Sequence, residues 1–338
     1  MKTNKGITLI KLLLIIFIMI VLCSLIFIFF LTDISQCTDI FFKNITHQID
    51  LSTEIKENET LLGITDVEGE GLIIKILDGK DMIHQEDLII MIDELKNAGS
   101  QAISINEQRI TNSTYLYCDG SVILLDGEKI GNPFTIKAIG NKETLYGAIT
   151  RNKGYVSILK KDEIEVNIEK SDDIKICKTK NNKLINYANG KNRIEQLRVS
   201  NQLVGKSDIR GKGIEIIINE NKSKLSALAF LQIINDLNCG GAKAISINGN
   251  RVVNATDVMD ISNTYVLLNS IPIKSPFVIK AIGNVKDLET VLYSSNSQYN
   301  KIKSKGNQIE TYEYINLEIE KYIQKRDKNK MDISYLVK

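Results

Sequence analysis

The 338-residue chain contains no Trp, only three Pro and only two His. Two histidines leave little material for imidazole acid–base catalysis or a multi-His metal site. His47 and His84 also lack Cys or acidic neighbours at ligand spacing, so both read as surface residues and no metal or cofactor is expected. The five Cys stand far apart, at 23, 37, 118, 177 and 239, with no C-x-x-C pair. That odd, scattered set is neither a disulfide framework nor a zinc site. Val21 and Leu22 before Cys23 are too bulky for a lipoprotein cleavage box, which leaves ordinary thiols. The net charge of +2 gives no reason to expect a nucleic acid partner. G-x-S-x-G, Walker and H-E-x-x-H motifs are missing as well. Asp93/Glu94 and Asp162/Glu163 are adjacent acids whose side chains diverge on a helix or strand, so they make poor acid–base pairs. No catalytic residue is expected.

What is present is a folding composition, 43% hydrophobic and 25% charged. Its longest apolar run, LLLIIFIMIVLCSLIFIFFL, occupies residues 12–31. About 20 residues at ~1.5 Å rise cross about 30 Å of hydrocarbon, so the run predicts a transmembrane helix. Lys2, Lys5 and Lys11 precede it, and Asp33 and Asp39 follow. By the positive-inside rule the N-terminus is cytoplasmic and the rest of the chain lies outside. GITLI, residues 6–10, also resembles a type IV prepilin cleavage site, with Gly6 at the cut. Lys11 then stands at the fifth mature position, where such subunits usually carry Glu. An uncut anchor is expected, and a prepilin-like subunit is the alternative.

Beyond the anchor the sequence repeats itself. AGSQAISINEQR at 98–109 returns as GGAKAISINGNR at 240–251, and PFTIKAIGN at 133–141 as PFVIKAIGN at 276–284. GEGLIIKI at 69–76 returns as GKGIEIII at 211–218. An offset of 142 or 143 residues, held through three segments in the same order, means two copies of one domain. In each copy a Gly-x-Gly turn leads into a strand. A helix follows, marked by Leu88, Ile89, Ile92 and Leu95, and by Leu228, Leu231, Ile234 and Leu237 in the second copy. Gly99 and Gly240 are read as the closing glycines of these helices. Next come the AISIN strand, a hairpin at Asp126-Gly127, the FTIKAIG strand, and a helix through Leu145 and Ile149, or Leu288 and Leu292. YVSILKK and IEVNIE follow as strand-like segments. The order predicts an α+β sandwich, broadly ferredoxin-like, with a mixed sheet and helices on one face.

The chain therefore divides into a cytoplasmic N-terminus (1–11), transmembrane helix (12–31), helical stalk (32–60), first repeat (61–177), linker (178–201), second repeat (202–320) and basic tail (321–338). The glycine pairs Gly69/Gly71 and Gly211/Gly213 lack the third Gly, and the following helix, of a dinucleotide loop; a turn or bulge is expected there.

The helix–Gly–AISIN-x-x-R segment, a later Thr and PF-x-I-x-AIG together resemble the YlxW/YlxX family of bacterial domains of unknown function. The resemblance covers residues 60–170 and 202–320. It implies a single-pass membrane protein acting in cell division or envelope assembly, since family genes lie in such clusters and some are labelled division initiation proteins. It implies no reaction. Two departures stand out. Gly99-Ser100-Gln101 and Gly241-Ala242-Lys243 replace the family's Gly-Ala-Glu, and the family usually has one copy per chain.

Asn106, Arg109 and Thr114 recur as Asn248, Arg251 and Thr256. They form either a polar cluster that binds an anion through the arginine fork, or a turn whose Asn, Arg and Thr satisfy loop backbone. The expected function is a non-enzymatic interaction module outside the membrane, with division or envelope proteins as partners. Binding of a small ligand or wall fragment by the Asn–Arg–Thr cluster is the alternative.

Overall fold

The computed structural model describes residues 49–77, 82–120, 122–181, 192–261 and 265–323, with scattered positions between 17 and 46 and at 186. It divides into two units, Met1–Glu54 and Ile55–Lys338. Much of the apolar run 12–31 lies outside the described residues. Its described positions, 17, 19–24, 27 and 28, are helical and exposed, and among the described residues no helix is long and apolar enough to cross a membrane. His47, Cys37 and the tail beyond residue 323 also fall outside them.

A helix over 49–61, α1, leads into the first repeat. The repeat runs β1 (Val67–Leu77), α2 (Gln85–Asn97), β2 (Ala102–Ile105), β3 (Gln108–Arg109), β4 (Leu116–Cys118), β5 (Ile123–Leu125), β6 (Glu128–Ile130), β7 (Phe134–Ile139), α3 (Lys142–Ile149), α4 (Tyr155–Lys161) and β8 (Glu165–Ile176). The second begins with α5 (Arg193–Val204), inside the segment expected to link the copies. It continues β9 (Ile209–Asn219), α6 (Ala227–Cys239), β10 (Ala244–Ile247), β11 (Asn250–Arg251), β12 (Val258–Ile261), β13 (Tyr265–Leu268), β14 (Ile271–Ile273), β15 (Phe277–Ile282), α7 (Val285–Leu292), α8 (Gln298–Ser304) and β16 (Gln308–Ile319).

Each repeat builds a five-stranded sheet, ordered β3-β2-β7-β1-β8 and β11-β10-β15-β9-β16, plus a three-stranded meander. The class is α+β. The sheets are antiparallel rather than mixed, because β7 is inserted between β1 and β2 and pairs antiparallel with both. β1 and β2 thus run the same way without touching, a split β-α-β arrangement. Leu72, Ile74 and Ile76 alternate along β1 onto the face covered by Leu88, Met91 and Leu95 of α2, Leu145 and Ile149 of α3, and Val156 and Leu159 of α4. Each such side chain, fully buried, contributes about 1.5–3 kcal/mol.

YVSILKK is a helix, α4, not a strand. Val156 and Leu159, three residues apart, bury one side, and an apolar run this short does not distinguish the two states. Gly69 and Gly71 lie within β1 at a bulge against β8, rather than in a turn before the strand. A Cβ on Gly71 would meet the Ala138 carbonyl oxygen at 1.9 Å, and one on Gly213 the Ala281 oxygen at 2.2 Å, so only glycine fits where β7 and β15 pass. Gly99 closes α2 with φ +89°; in the second copy Gly241, at φ +77°, does this, and Gly240 has an ordinary φ.

Candidate functional site

The two repeated motifs resolve first into local structure. AISIN ends in a tight turn with both central residues left-handed: Asn106 and Glu107 at φ 45° and 65°, Asn248 and Gly249 at 48° and 77°. That is the type I′ geometry of a two-residue hairpin, which tolerates Asn well. The Asn106 amide also ties down the start of the PF strand, accepting from the Thr135 N–H at 2.7 Å and donating to the Gly131 carbonyl at 2.9 Å. Asn248 does the same with Val278 and Lys274, both at 2.8 Å. Thr114 and Thr256 accept from the backbone N–H three residues earlier, at 2.9 and 2.8 Å, closing the following loop. The asparagine that ends AIGN caps the next helix, Asn141 accepting from the Thr144 N–H at 2.9 Å.

The arginines differ from these. Arg109 and Arg251 are 3% and 1% exposed. Each side chain passes under a glycine, Gly63 or Gly205, whose added Cβ would lie 3.1 or 3.5 Å from the arginine Cγ. Arg251 Nη2 donates to the Gln202 carbonyl at 2.7 Å. Nε and Nη1 of both arginines are buried with no hydrogen-bond partner among the described residues. Burial pushes both guanidinium pKa values down, Arg251 to about 10, with Asp66 and Asp208 opposing the shift. Those two carboxylates act on the arginines through their charge, while their Oδ1 atoms accept from the Lys178 and Lys321 backbone N–H groups at 2.8 and 2.7 Å. Asn106, Arg109 and Thr114 thus adjoin one turn but do not converge as a polar pocket.

Sequence reasoning missed the surface between the repeats. α2 and α6 each carry a second apolar stripe, Ile89 with Ile92 and Leu231 with Ile234, beside the one facing their own sheet. These stripes meet each other, and Leu231 packs against the core of the first repeat. The contacts obey an approximate two-fold exchange. Asp93 accepts from the Val258 N–H at 2.9 Å. Its counterpart Asn235 accepts from the Leu116 N–H at 2.7 Å and donates to the Leu116 carbonyl at 2.8 Å. On the same axis Asn58 donates to Ser200, its own counterpart 142 residues on, at 2.9 Å. A surface that exchanges i with j in this way is an isologous dimer interface, here within one chain. The sequence signal was the breadth of the apolar stripe, too wide for a helix buried on one side.

Asp93 is 7% exposed. Burial raises its carboxyl from the ordinary 3.8 to about 7, with Asp257 adding to the rise and the Val258 N–H and Lys96 opposing it. Burial lowers the Lys96 ammonium, against the attraction of Asp93 and Asp257. Glu94, by contrast, points into its own repeat, where it receives Tyr155 N–H at the start of α4 and Arg151 Nη2 at 3.0 Å. The adjacent acids do diverge.

Between the repeats lies a cleft of about 540 Å³, with Arg109, Lys178 and Tyr115 on one wall and Leu203, Lys243 and Ile245 on the other. The three-stranded meander supplies Asp126, whose carboxyl burial raises to about 6 although it accepts from the Tyr115 N–H at 3.0 Å. No group of three or more metal-ligating side chains occurs among the described residues.

The fold and this interface define a tandem α+β protein whose two domains pair as an internal dimer. Residues 54–189 and 196–332 each match the family described as bacterial protein of unknown function (DUF881), and the chain belongs to that family. It is 30% identical over 132 residues to UPF0749 protein YlxW of Bacillus subtilis, covering 35% of this chain and 57% of that protein. It is 23% identical over 140 residues to UPF0749 protein YlxX of the same organism, 38% and 60% respectively. The chain therefore spans less than two thirds of these relatives' length. A crystal structure of an uncharacterized conserved protein from Mycobacterium tuberculosis shares 26% identity, covering 36% of this chain and 87% of that one, with a TM-score of 0.34.

Proposed function

We propose that the chain is a single-pass membrane protein that presents its paired repeats outside the cytoplasmic membrane as a non-enzymatic interaction module in division or envelope assembly. The anchor rests on the apolar run 12–31 and its Lys-before, Asp-after flanks. The observation that carries the binding reading is the use of the repeated polar residues. Asn106, Asn248, Thr114 and Thr256 are spent on turns and strand starts, so what the repeats share is a shape rather than a reactive constellation. Two repeats held by an isologous interface present their outer sheet edges in a fixed relation, which suits a partner that engages both.

Two measurements test this. Cys177 is an exposed free thiol, so a membrane-impermeant maleimide should label it on intact cells, and the Cys177→Ser chain should lose that label. Labelling only after lysis would refute the orientation. Cross-linking in native membranes through a C-terminal tag should then enrich division or wall-synthesis proteins. Recovery of none would refute the assigned role.

A further inference from the structure

We propose that the cleft between the repeats binds a small molecule that joins an anionic group to an apolar body, with Arg109 holding the anion. This goes beyond the interaction reading and does not depend on it. The cleft's volume of about 540 Å³ lies within the ordinary range of small-molecule sites. Its walls pair apolar side chains, Leu62, Leu203, Ile245 and Val252, with a few cations. Arg109 lines it at 3% exposure with Nε and Nη1 unpartnered. A buried guanidinium with unmet donors is costly, and an anion is the group that relieves it.

The nearby carboxylates do not fill that role. Asp66 acts on Arg109 through its charge without a hydrogen bond to it, and its Oδ1 accepts from the Lys178 N–H. Glu107 pairs with Lys137 at 2.5 Å, and Glu128 with Lys180 at 3.7 Å. Asp126 is taken by the Tyr115 N–H and the Thr114 hydroxyl. Among the described residues the side chains of Lys178 and Lys243, both lining the cleft, form no ion pair, so the positive charge is in surplus. Arg251 is the internal control. Its Nε and Nη1 are unmet as well, but its Nη2 is capped by the Gln202 carbonyl, it does not line this cleft, and Tyr322 stands where the first repeat has Thr179. A carboxylate and a phosphate would both satisfy Arg109.

The test uses the full chain in lipid nanodiscs, titrated by calorimetry with hexanoate and hexyl phosphate, and with hexanol and hexylammonium as controls. Saturable binding of one or both anions, without the alcohol or amine, is expected, and the tighter anion identifies the headgroup. Arg109→Gln should weaken binding at least about tenfold, the scale of one charge-assisted hydrogen bond. Lys243→Glu, a change on the exposed rim that leaves the core intact, should weaken it as well. Arg251→Gln should leave binding unchanged. No binding of either anion, equal binding of hexanol, or full affinity in a folded Arg109→Gln chain would overturn the proposal; if Arg109→Gln does not fold, full affinity in Lys243→Glu overturns it.

Discussion

Asp93→Asn should make the paired repeats more stable at neutral pH and remove part of their pH dependence. The two-fold relation supplies the reason: Asn235 occupies the same place in the second repeat and satisfies both the N–H and the carbonyl of Leu116. Asp93 can only accept when ionised, and burial raises its pKa from 3.8 to about 7. A group that holds its proton more tightly folded than unfolded stabilises the fold most below its unfolded pKa. That contribution falls as pH rises through the window from about 4 to about 7, and is flat above it. That rise from 3.8 to about 7, at about 1.4 kcal/mol per tenfold change in proton affinity, sets an upper limit of about 4 kcal/mol. Relaxation and the approach of Lys96 would bring the observed value below that. Asp93→Asn should therefore match the parent near pH 4 and exceed it increasingly up to pH 7.5, by several degrees in Tm at about 2–4 °C per kcal/mol. Thermal unfolding followed by circular dichroism from pH 4 to 8, for parent and variant, measures this. An unchanged pH slope, or a variant less stable than the parent at pH 7.5, would refute the assignment of the pH dependence to this carboxyl.

Three further outcomes follow from the geometry. Gly71→Ala should cost about 3 kcal/mol or more, since the added methyl overlaps the Ala138 carbonyl and only a shift of β7 relieves it; a chemical denaturation midpoint near that of the parent would contradict the close approach. Asn248→Ala should cost about 2–3 kcal/mol by removing both side-chain bonds to the PF strand and a residue suited to positive φ, whereas Asn248→Asp keeps the acceptor and should lose less; equal losses in urea unfolding would speak against the amide's role. Arg251→Ala should destabilise by about 2–4 kcal/mol through the cavity it leaves, and Arg251→Met should recover most of that because it fills the space with no unmet donors. A Met variant as weak as the Ala variant would show that the Gln202 bond dominates.

The parts of the fold legible in the sequence are those set by short-range chemistry. Asp126-Gly127 marks its hairpin because both residues take positive φ, 49° and 86°, and few residue pairs do so cheaply. Leu145 and Ile149 mark α3 because their spacing leaves one buried stripe. Strand order was less accessible. The β1-α2-β2 succession suggests a parallel neighbour, and only the later arrival of β7 between the two strands makes every pairing antiparallel. α2 and α6 misled for a related reason. Leu228, Leu231, Ile234 and Leu237 mark the helix by their spacing but do not share one destination: Phe230, Ile233 and Leu237 enter the sheet while Leu231 and Ile234 face the other repeat. A helix buried on two sides has no single period to read. The candidate triads were legible as residues, but not as to role. Thr114 closes a loop with a partner three residues away, but that Asn106 serves the backbone, while Arg109 lines a cleft, depends on a partner 25 residues away and on the second repeat.

Joining the two halves of a two-fold interface in one chain changes what mutation can do to it. In a homodimer each substitution appears twice, so a charge tolerated once on the axis would face its own copy. In the tandem chain the two sides vary separately. Asp93 and Lys96 on one side stand opposite Asn235 and Asn238 on the other, and Asn238 donates to the Asn112 and Thr114 carbonyls at 3.0 and 3.1 Å. The first repeat thus keeps ionisable groups where the second uses neutral amides, and burial perturbs only the former. The same freedom separates the arginines. Tyr322 replaces Thr179 beside Arg251, while Thr179 lines the open cleft at Arg109. A symmetric pair would carry two equal clefts. The covalent pair can keep one repeat as support and leave the other open to a ligand: both arginines leave Nε and Nη1 unmet, but Arg251 has its Nη2 capped by the Gln202 carbonyl while Arg109 lines the cleft.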